Sequence, residues 1–321
     1  MLDPDRIDLV LYGTEAPGGL LECVELAEAA GFGGVWVGDS PLLWRELYVL
    51  LGAAAMRTER VRLGPGVTNP VTRHLSVTAS ALMTLQELSG GRAALGLGLG
   101  ASAVATIGAR PARLAQLERA VAGLRDLWAG GAEGLRYGGS EPPIPIHIGA
   151  SGPRMLELSA QIGDGCLAVV GLHSRQLEAA RSRIAAGRPR DGFELTFWVP
   201  FAVADDPTEA HEDVKSYVAR SLRHPLPAEL TPVEGEAAEG IRASYSFGQH
   251  LARGAEHARL VPDEIVEDWA VAGTAADCRA QLARLDLSEG ERIGLVPMGR
   301  GPKPAQVGRL VEDVLGMSRS H

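Results

Sequence analysis

Eight short apolar segments alternate with segments of helical period along almost the whole chain, and this alternation limits the fold to a few architectures. The predicted strands are Ile7–Leu11, Gly34–Gly38, Val61–Leu63, Ala93–Leu97, Ile144–Ile148, Cys166–Val170, Phe193–Ala204 and Ile293–Val296. Most are apolar on both faces, as expected when helices cover the outside of a parallel sheet. Because no change of composition divides the chain, the alternation predicts an α/β fold, one (β/α)8 TIM barrel over residues 1–321. A doubly wound sheet is the alternative.

One stretch does not follow the alternation. Ser221 to Leu260 carries many charged and small residues and follows the helix predicted at Thr208–Arg220. The last predicted helix–strand pair, Ala275–Leu285 and Ile293–Val296, comes after it. We interpret the stretch as a helical insertion near the barrel mouth, before the last βα unit. Such an insertion is either a lid over a site or a solvated excursion of the surface.

The composition excludes several classes of protein. A net charge of −9 argues against a protein that coats nucleic acid or an anionic membrane. No apolar run reaches the ~18 residues that a bilayer requires, and the N-terminal MLDPDRIDLV lacks the zones of a signal peptide. Three distant cysteines without CxxC, HExxH or EF-hand patterns indicate buried thiols and no metal site. We therefore expect a cytoplasmic protein that acts on a small molecule.

In a barrel the carboxyl ends of all strands meet at one mouth, where the sites of this fold lie. The residues that follow the predicted strands are therefore the candidates for a functional site: Tyr12, Asp39, Ser40, Gly66–Asn69, Leu99–Ser102, Gly149–Gly152, Pro200 and Met298. Trp44 and Trp198 lie close to strand ends, and they are either core residues or part of the wall of a substrate pocket.

Within the stretch from Leu63 to Leu99, glycines lie at the ends of two neighbouring predicted strands. GPG follows the third predicted strand and GLGLG ends the fourth, so a ligand or another backbone can approach both. Gly98 to Ala103 also fits the GxGxxA pattern of dinucleotide-binding turns, but that pattern usually follows the first strand of a fold. We interpret these glycines as an edge that lets a flat ring system lie against the backbone. The alternative is an ordinary turn of the barrel whose backbone requires glycine.

A third glycine-rich turn follows the fifth strand. In Gly149–Gly152 the backbone N–H groups, together with the helix that Pro153 opens, could hold a phosphate. Ser151 adds a hydroxyl and Arg154 adds a positive charge in the first turn. A plain strand-to-helix turn with an N-cap serine explains the local sequence equally well.

Asp39 ends the second predicted strand, where a carboxylate could accept a hydrogen bond from a cofactor or carry a proton. A helix cap is the alternative role for a single aspartate at this place. The eight histidines form no metal-ligand cluster, and His74 is interpreted as a helix-start residue or a phosphate contact.

Two blocks of this sequence resemble the bacterial-luciferase-like superfamily. They are GPGVTNPVTRH, followed by VTASALMTLQELSGGRAALGLG, and IPIHIGASGPRMLELSAQIGDG at Ile144–Gly165. Both are more similar to the coenzyme F420-dependent branch, typified by methylenetetrahydromethanopterin reductase. Weaker similarity covers most of the chain, and Ser221 to Leu260 is the least similar part. The resemblance implies a TIM barrel, the deazaflavin F420 as cofactor, with FMN as the alternative, and a homodimer.

The resemblance also implies roles for individual residues. The loop with Ser151, Gly152, Arg154 and Met155 is similar to the loop that holds the cofactor phosphate in the family. Gly66–Val67 matches the position of a non-prolyl cis peptide that lies behind the cofactor ring. The remaining cofactor-binding residues that the resemblance implies are Asp39, Asn69, Leu99 and Gly100. Asp39 is also the implied catalytic residue.

The chain departs from the family pattern at three places where relatives carry groups that handle protons. Many relatives have a histidine after the aspartate, whereas this chain has Ser40. Another common acid falls at Ala101, and a strand-one glutamate of the reductases falls near Leu11 or Tyr12. These departures argue against simple methylenetetrahydromethanopterin reduction, and we expect a different substrate.

The implied reaction is hydride transfer between the deazaflavin and a small organic substrate with a C=C, C=N or carbonyl group, in specialised metabolism. An FMN-dependent monooxygenase, served by a separate flavin reductase, is one alternative. A cofactor-free or non-catalytic barrel is the other.

Overall fold

Parallel strands form a nine-stranded sheet in the computed structural model, which describes residues 2–130, 134–139, 141–226 and 230–317. The strands are β1 (Ile7–Leu11), β2 (Gly34–Val37), β3 (Arg62–Pro65), β4 (Leu95–Leu97), β5 (Ile146–Ala150), β6 (Gly165–Ala168), β7 (Glu194–Val203), β8 (Val271–Gly273) and β9 (Glu291–Pro297). Eight of them follow the order β3-β2-β1-β9-β7-β6-β5-β4, and single bridges such as Leu63–Ala93 join β3 to β4. The predicted TIM barrel is confirmed.

Helices surround the strands and cover one end of the barrel. They are α1 (Pro17–Ala29), α2 (Leu47–Ala55), α3 (Leu75–Leu88), α4 (Ser102–Ala105), α5 (Leu114–Ala129), α6 (Pro153–Ile162), α7 (Ser174–Ala186), α8 (Pro207–Leu222), α9 (Pro232–Ser244), α10 (Ala275–Ala283) and α11 (Lys303–Arg309). Four of them begin with proline, whose missing N–H costs nothing in the first turn. His74 caps α3 by accepting a hydrogen bond from the Ser76 N–H, which confirms its helix-start role.

Strand residues alternate between two apolar layers. Leu9 and Leu11 of β1 pack outward against the helices, in the largest core cluster. Val10 lies between them and packs inside the barrel with Trp36 and Trp198. The helix layer therefore holds the barrel from outside, while large side chains fill its interior.

Charged side chains fill the interior at the amino ends of the strands. Asp8 is fully buried and accepts a hydrogen bond from Arg292 at 2.6 Å, and Arg62 pairs with Glu194 at 2.8 Å. His147 lies nearby, and burial, together with the positive charge of Arg62, lowers its pKa to about 4. These paired charges form a polar layer inside this end of the barrel.

Residues 207–226 and 230–269 form a cap over the opposite end. The cap consists of α8, α9 and short 3-10 turns, and it has its own apolar cluster with Val214, Ile241 and Trp269. Tyr217 of α8 packs with the residues inside the barrel, so α8 lies across the mouth. Buried Glu234 of α9 accepts hydrogen bonds from Trp269 and Arg175, each at 2.7 Å. The predicted helical insertion is confirmed.

The sequence prediction missed one strand. The strand β8 is not among the eight predicted strands. A three-residue strand shows no periodicity, and β8 forms because the long strand β7 extends beyond the barrel and pairs with it at Phe201–Val203. Positions 227–229 of the predicted insertion 221–260 lie outside the described residues, as do positions 131–133 and 140.

Candidate active site

A cavity of about 600 Å³ lies between the barrel mouth and the cap. Its barrel wall comes from the loops after the strands, and its cap wall comes from the end of α8 and the following turns. The residues that the cap contributes are Arg220, Ser221, Arg223, His224, Phe247 and His250.

Most of the residues predicted for the site line this one cavity. They are Asp39, Gly66, Val67, Asn69, Leu99, Gly100, Ser151 and Met155, together with Tyr12, Trp44 and Trp198. Gly152 and Arg154 are not part of its wall: Gly152 is the N-cap of α6, and the Arg154 side chain is exposed. Ser40 lies behind the wall and shares a hydrogen bond with Ser102 at 2.6 Å. Met298 lines a second cavity of about 370 Å³ beside the first.

The turn after β3 forms an apolar shelf in the cavity. The Gly66–Val67 peptide bond is cis, as the resemblance implied. A Cβ at Gly98 would lie 2.9 Å from a Val67 methyl group, and a Cβ at Gly149 would lie 3.0 Å from the other. These glycines are therefore needed for the close approach of Val67, and the GxGxxA pattern has a packing role rather than that of a dinucleotide turn.

Asp39 is a buried carboxylate held by two donors. Its Oδ2 accepts a hydrogen bond from Thr68 Oγ1 at 2.7 Å and forms an ion pair with Arg73 at 2.5 Å. Arg73 also contacts Glu46 at 2.9 Å. Burial lowers the pKa of Arg73, but the hydrogen bond and charge of Asp39 outweigh it and raise that pKa on balance. Asp39 is an ion-paired wall residue, not a helix cap.

Asn69 presents a donor with no partner. Its Oδ1 accepts the backbone N–H groups of Val71 and Thr72, each at 3.0 Å, which fixes the orientation of the amide. Its Nδ2 is buried and has no hydrogen-bond partner among the described residues. Buried donors are nearly always satisfied in folded proteins. The cavity therefore has a place for an acceptor at Asn69.

The loop after β5 leads into the N-terminus of α6. Ser151 precedes α6 and Met155 lies in its first turn, and both residues line the cavity. The first N–H groups of a helix have no partner inside the helix, and the helix dipole favours negative charge there. This wall of the cavity therefore fits an anionic group.

The cap contributes polar residues that the sequence interpretation missed. His250 donates or accepts a hydrogen bond with the Tyr245 hydroxyl at 2.6 Å. Burial and the charges of Arg220 and Arg223 lower the pKa of His250 to about 3, so the ring is neutral at pH 7. The same causes, burial first and then Arg223, lower the pKa of His224. For Arg220, Arg223 and His224, the only local signal in the sequence was a spacing that places them on one face of a helix.

Aromatic side chains separate the two cavities. Tyr12 stacks on Trp44 with ring centroids 4.5 Å apart, and Trp44 lies 6.1 Å from His250. All three residues line both cavities. The Tyr12 hydroxyl and the two cap histidines are therefore further groups that could exchange protons with a ligand. The described residues include no group of side chains that could hold a metal ion, and no helix among them is long and apolar enough to span a membrane.

Sequence comparisons show which known proteins this chain is similar to. The sequence profile of the family described as "Luciferase-like monooxygenase" matches residues 1–289. The chain is 31% identical to 5,10-methylenetetrahydromethanopterin reductase of Methanolobus tindarius, over 88% of this chain and 91% of that protein. It is 34% identical to the F420-dependent glucose-6-phosphate dehydrogenase of Beutenbergia cavernae, over 61% of this chain and 66% of that protein.

Solved structures show the same fold. The coenzyme F420-dependent tetrahydromethanopterin reductase of Methanopyrus kandleri superposes with a TM-score of 0.71. The match covers 97% of this chain and 98% of that structure at 24% identity, so it speaks for the fold alone. The family profile covers far more than half of the sequence. The chain therefore belongs to the luciferase-like family.

Proposed function

We propose that the protein is an F420-dependent oxidoreductase that transfers a hydride between the deazaflavin and a small organic substrate with a C=C, C=N or carbonyl group. The observation that carries the proposal is one cavity with an apolar shelf at Val67 and the N-terminus of α6 at its wall. A flat apolar ring fits the shelf, and a phosphate fits the helix end. The relative from Beutenbergia cavernae, an F420-dependent glucose-6-phosphate dehydrogenase, supports the same cofactor.

In this proposal each wall residue has one task. Val67 contacts one face of the ring, and Leu99 and Gly100 border it. The unpartnered Nδ2 of Asn69 donates a hydrogen bond to an acceptor on the ring. F420 supplies the hydride chemistry, and the protein positions the cofactor and excludes water. The phosphate lies at Ser151, the Gly152 backbone and Met155, with the charge of Arg154 outside the wall.

Asp39 is the proposed catalytic residue, as a hydrogen-bond acceptor at the cofactor. Its contacts with Thr68 and Arg73 both go to Oδ2, which leaves Oδ1 as the oxygen for a ligand. The ion pair with Arg73 and the hydrogen bond from Thr68 hold this carboxylate in place as a hydrogen-bond acceptor. A proton for the substrate comes from the substrate itself or from a hydroxyl group such as that of Tyr12.

An anaerobic titration with F420 and with FMN, each oxidised and reduced, tests the proposal. We expect F420 to bind at least tenfold more tightly than FMN. Tighter binding of FMN favours an FMN-dependent monooxygenase, to which the description of the family also points. A protein that binds neither cofactor is the non-catalytic barrel, and either result contradicts the proposal.

Ser151→Asp is expected to weaken F420 binding about 10- to 100-fold, because it sets a carboxylate against the phosphate at the end of α6. Fluorescence titration measures the affinity. Ser151→Asn has the same shape without the charge and is the matched control, with an expected loss below threefold. Equal losses for the two variants would show that the phosphate does not lie at this loop.

We also propose that the protein is a homodimer, with a second copy on an apolar face of α2 and α3. Val49 and Met56 are 72% and 70% exposed on one side of α2, and Val77 and Leu88 are 53% and 46% exposed on α3. Exposed apolar patches of this kind mark interfaces.

Light scattering during gel filtration should give the mass of a dimer for the wild type and of a monomer for Val49→Glu/Met56→Glu. Ile107→Glu, at another exposed apolar residue, is the control and should stay dimeric. A monomeric wild type would rule the dimer out.

A further inference from the structure

Two arginines of the cap line the cavity without a carboxylate partner. Arg220 and Arg223 lie in and just after the last turn of α8, and both belong to the cavity wall. Neither forms an ion pair with any residue in the part of the chain that the structure describes, whereas Arg73 in the same region pairs with Asp39 and Glu46. The chain as a whole carries a net charge of −9. Unpaired cations in its main cavity are therefore not a consequence of an excess of basic residues.

Aromatic rings hold these guanidinium groups in place. The Arg223 guanidinium lies over the rings of Tyr245, at 4.2 Å, and Phe247, at 4.7 Å. Arg220 lies over the ring of Tyr217 at 4.9 Å. Stacking uses the face of a guanidinium and leaves the N–H donors at its edge for a ligand. These donors match the two oxygens of a carboxylate or phosphate.

The pKa values of the neighbouring histidines are affected by the same positive charges. The positive charges of Arg220 and Arg223 act on both His224 and His250, after burial, to lower their pKa values. Asp39 is the one carboxylate in the described wall of the cavity, and its Oδ2 is already held by Arg73. An anion from outside the protein would therefore meet two cations, two neutral imidazoles and no competing carboxylate nearby.

We propose that Arg220 and Arg223 bind an oxyanion of the substrate, so that the enzyme acts on small carboxylates or phosphate esters. The inference rests on the proposed function, because it assigns the substrate class of that same cavity. The cap thus holds the charged end of the substrate, while the barrel shelf holds the cofactor. The other source of an oxyanion in this cavity is the cofactor's own phosphate and glutamate tail.

Calorimetric titration with inorganic phosphate and with acetate tests the inference directly. The titrations use Ser151→Asp protein, in which the α6 loop cannot compete for the anion, and they need no F420. We expect Arg220→Met and Arg223→Met each to weaken binding of at least one anion about tenfold, and the double variant to abolish it. Arg119→Met, at an exposed arginine of α5, is the control and should leave binding unchanged. The inference is overturned if the double variant and the control bind the anions equally well. It is also overturned if the Ser151→Asp protein with both arginines in place binds neither phosphate nor acetate.

A second arm separates the substrate from the cofactor tail. Titration of otherwise wild-type protein with F420, and with the deazaflavin that lacks phosphate and glutamates, should give affinities that Arg220→Met and Arg223→Met change less than twofold. A loss of affinity for F420 alone assigns the arginines to the cofactor tail and overturns the substrate assignment. Failure of wild-type protein to bind F420 contradicts the proposed function, but it leaves the phosphate and acetate result to decide the anion site.

Discussion

Arg73→Met is expected to lower the free energy of unfolding by about 3 kcal/mol, because it leaves a buried carboxylate without its cation. The side chain of Asp39 is 2% exposed and that of Arg73 is 15% exposed, so water replaces little of the lost interaction. Thr68 still donates its hydrogen bond to Asp39, which keeps the loss at the lower end of the usual range. Urea denaturation followed by circular dichroism measures it.

Two further variants isolate the cause of this loss. The double variant Arg73→Met/Asp39→Asn should recover much of the stability, because a neutral amide needs no cation. Arg57→Met removes an ion pair with Glu25 whose side chains are 50% and 46% exposed, and it should cost less than ~1 kcal/mol. The account is wrong if the double variant is no more stable than Arg73→Met, or if Arg57→Met costs as much.

The same pair tests the role of Asp39 at the cofactor. Asp39→Asn keeps the shape of the side chain and removes its charge, and we expect it to weaken F420 binding about tenfold. Unchanged affinity together with turnover lowered about 100- to 10,000-fold would instead assign Asp39 to proton transfer. Wild-type affinity and turnover would leave it a purely structural partner of Arg73.

Gly66→Ala is the second large effect, with an expected loss of about 3 kcal/mol of stability and of measurable F420 binding. A Cβ at this position would lie 2.6 Å from the Cβ of Trp36 and 2.7 Å from the ring of Trp198. Both tryptophans are buried and cannot move away, so the extra methyl group overpacks the barrel interior. The turn then shifts, and the neighbouring shelf residue Val67 no longer supports a ring.

Gly152→Ala is the matched control at the same mouth. Nothing lies within 4 Å of its Cβ position, and its φ of −96° suits any residue. We expect a change in stability below ~0.5 kcal/mol, as at other unconstrained positions. Thermal unfolding of both variants gives the comparison of stability, and F420 titration of Gly66→Ala tests the shelf. Gly152→Ala controls for stability alone, because the Gly152 backbone lies at the proposed phosphate site. Near-wild-type binding by Gly66→Ala would show that the shelf is not where the ring lies.

The sequence was informative where local chemistry decides the structure. Glycine and proline mark the turns after β3, β4 and β5, and buried strands give continuous apolar runs. The position of the Gly66–Val67 cis bond followed from resemblance, and the packing of Gly98 and Gly149 around Val67 explains the glycines physically.

Contacts between residues that are distant in the chain could not be predicted from the sequence. Asp39 and Arg73 are 34 positions apart, and nothing at either position indicates the other. The helix α8 has an ordinary apolar stripe, so its period gives no sign that it crosses the barrel mouth. Its arginines therefore read as solvent-exposed residues of an outer helix. The placement of Tyr217 inside the barrel, with Arg220 and Ser221 in the cavity wall, shows that α8 crosses the mouth.

The long strand β7 gives two parts of the molecule a shared support. Residues Leu195–Phe201 pair with β9 in the barrel, and Phe201–Val203 pair with β8 beyond it. The cap that precedes β8 has an apolar cluster separate from the main core of the barrel. If the cap holds the substrate and the barrel shelf holds the cofactor, as we propose, substitutions within the cap can reshape the substrate side of the cavity while the cofactor side keeps its geometry. Divergence of substrate preference in such a chain needs only one half of the site to change.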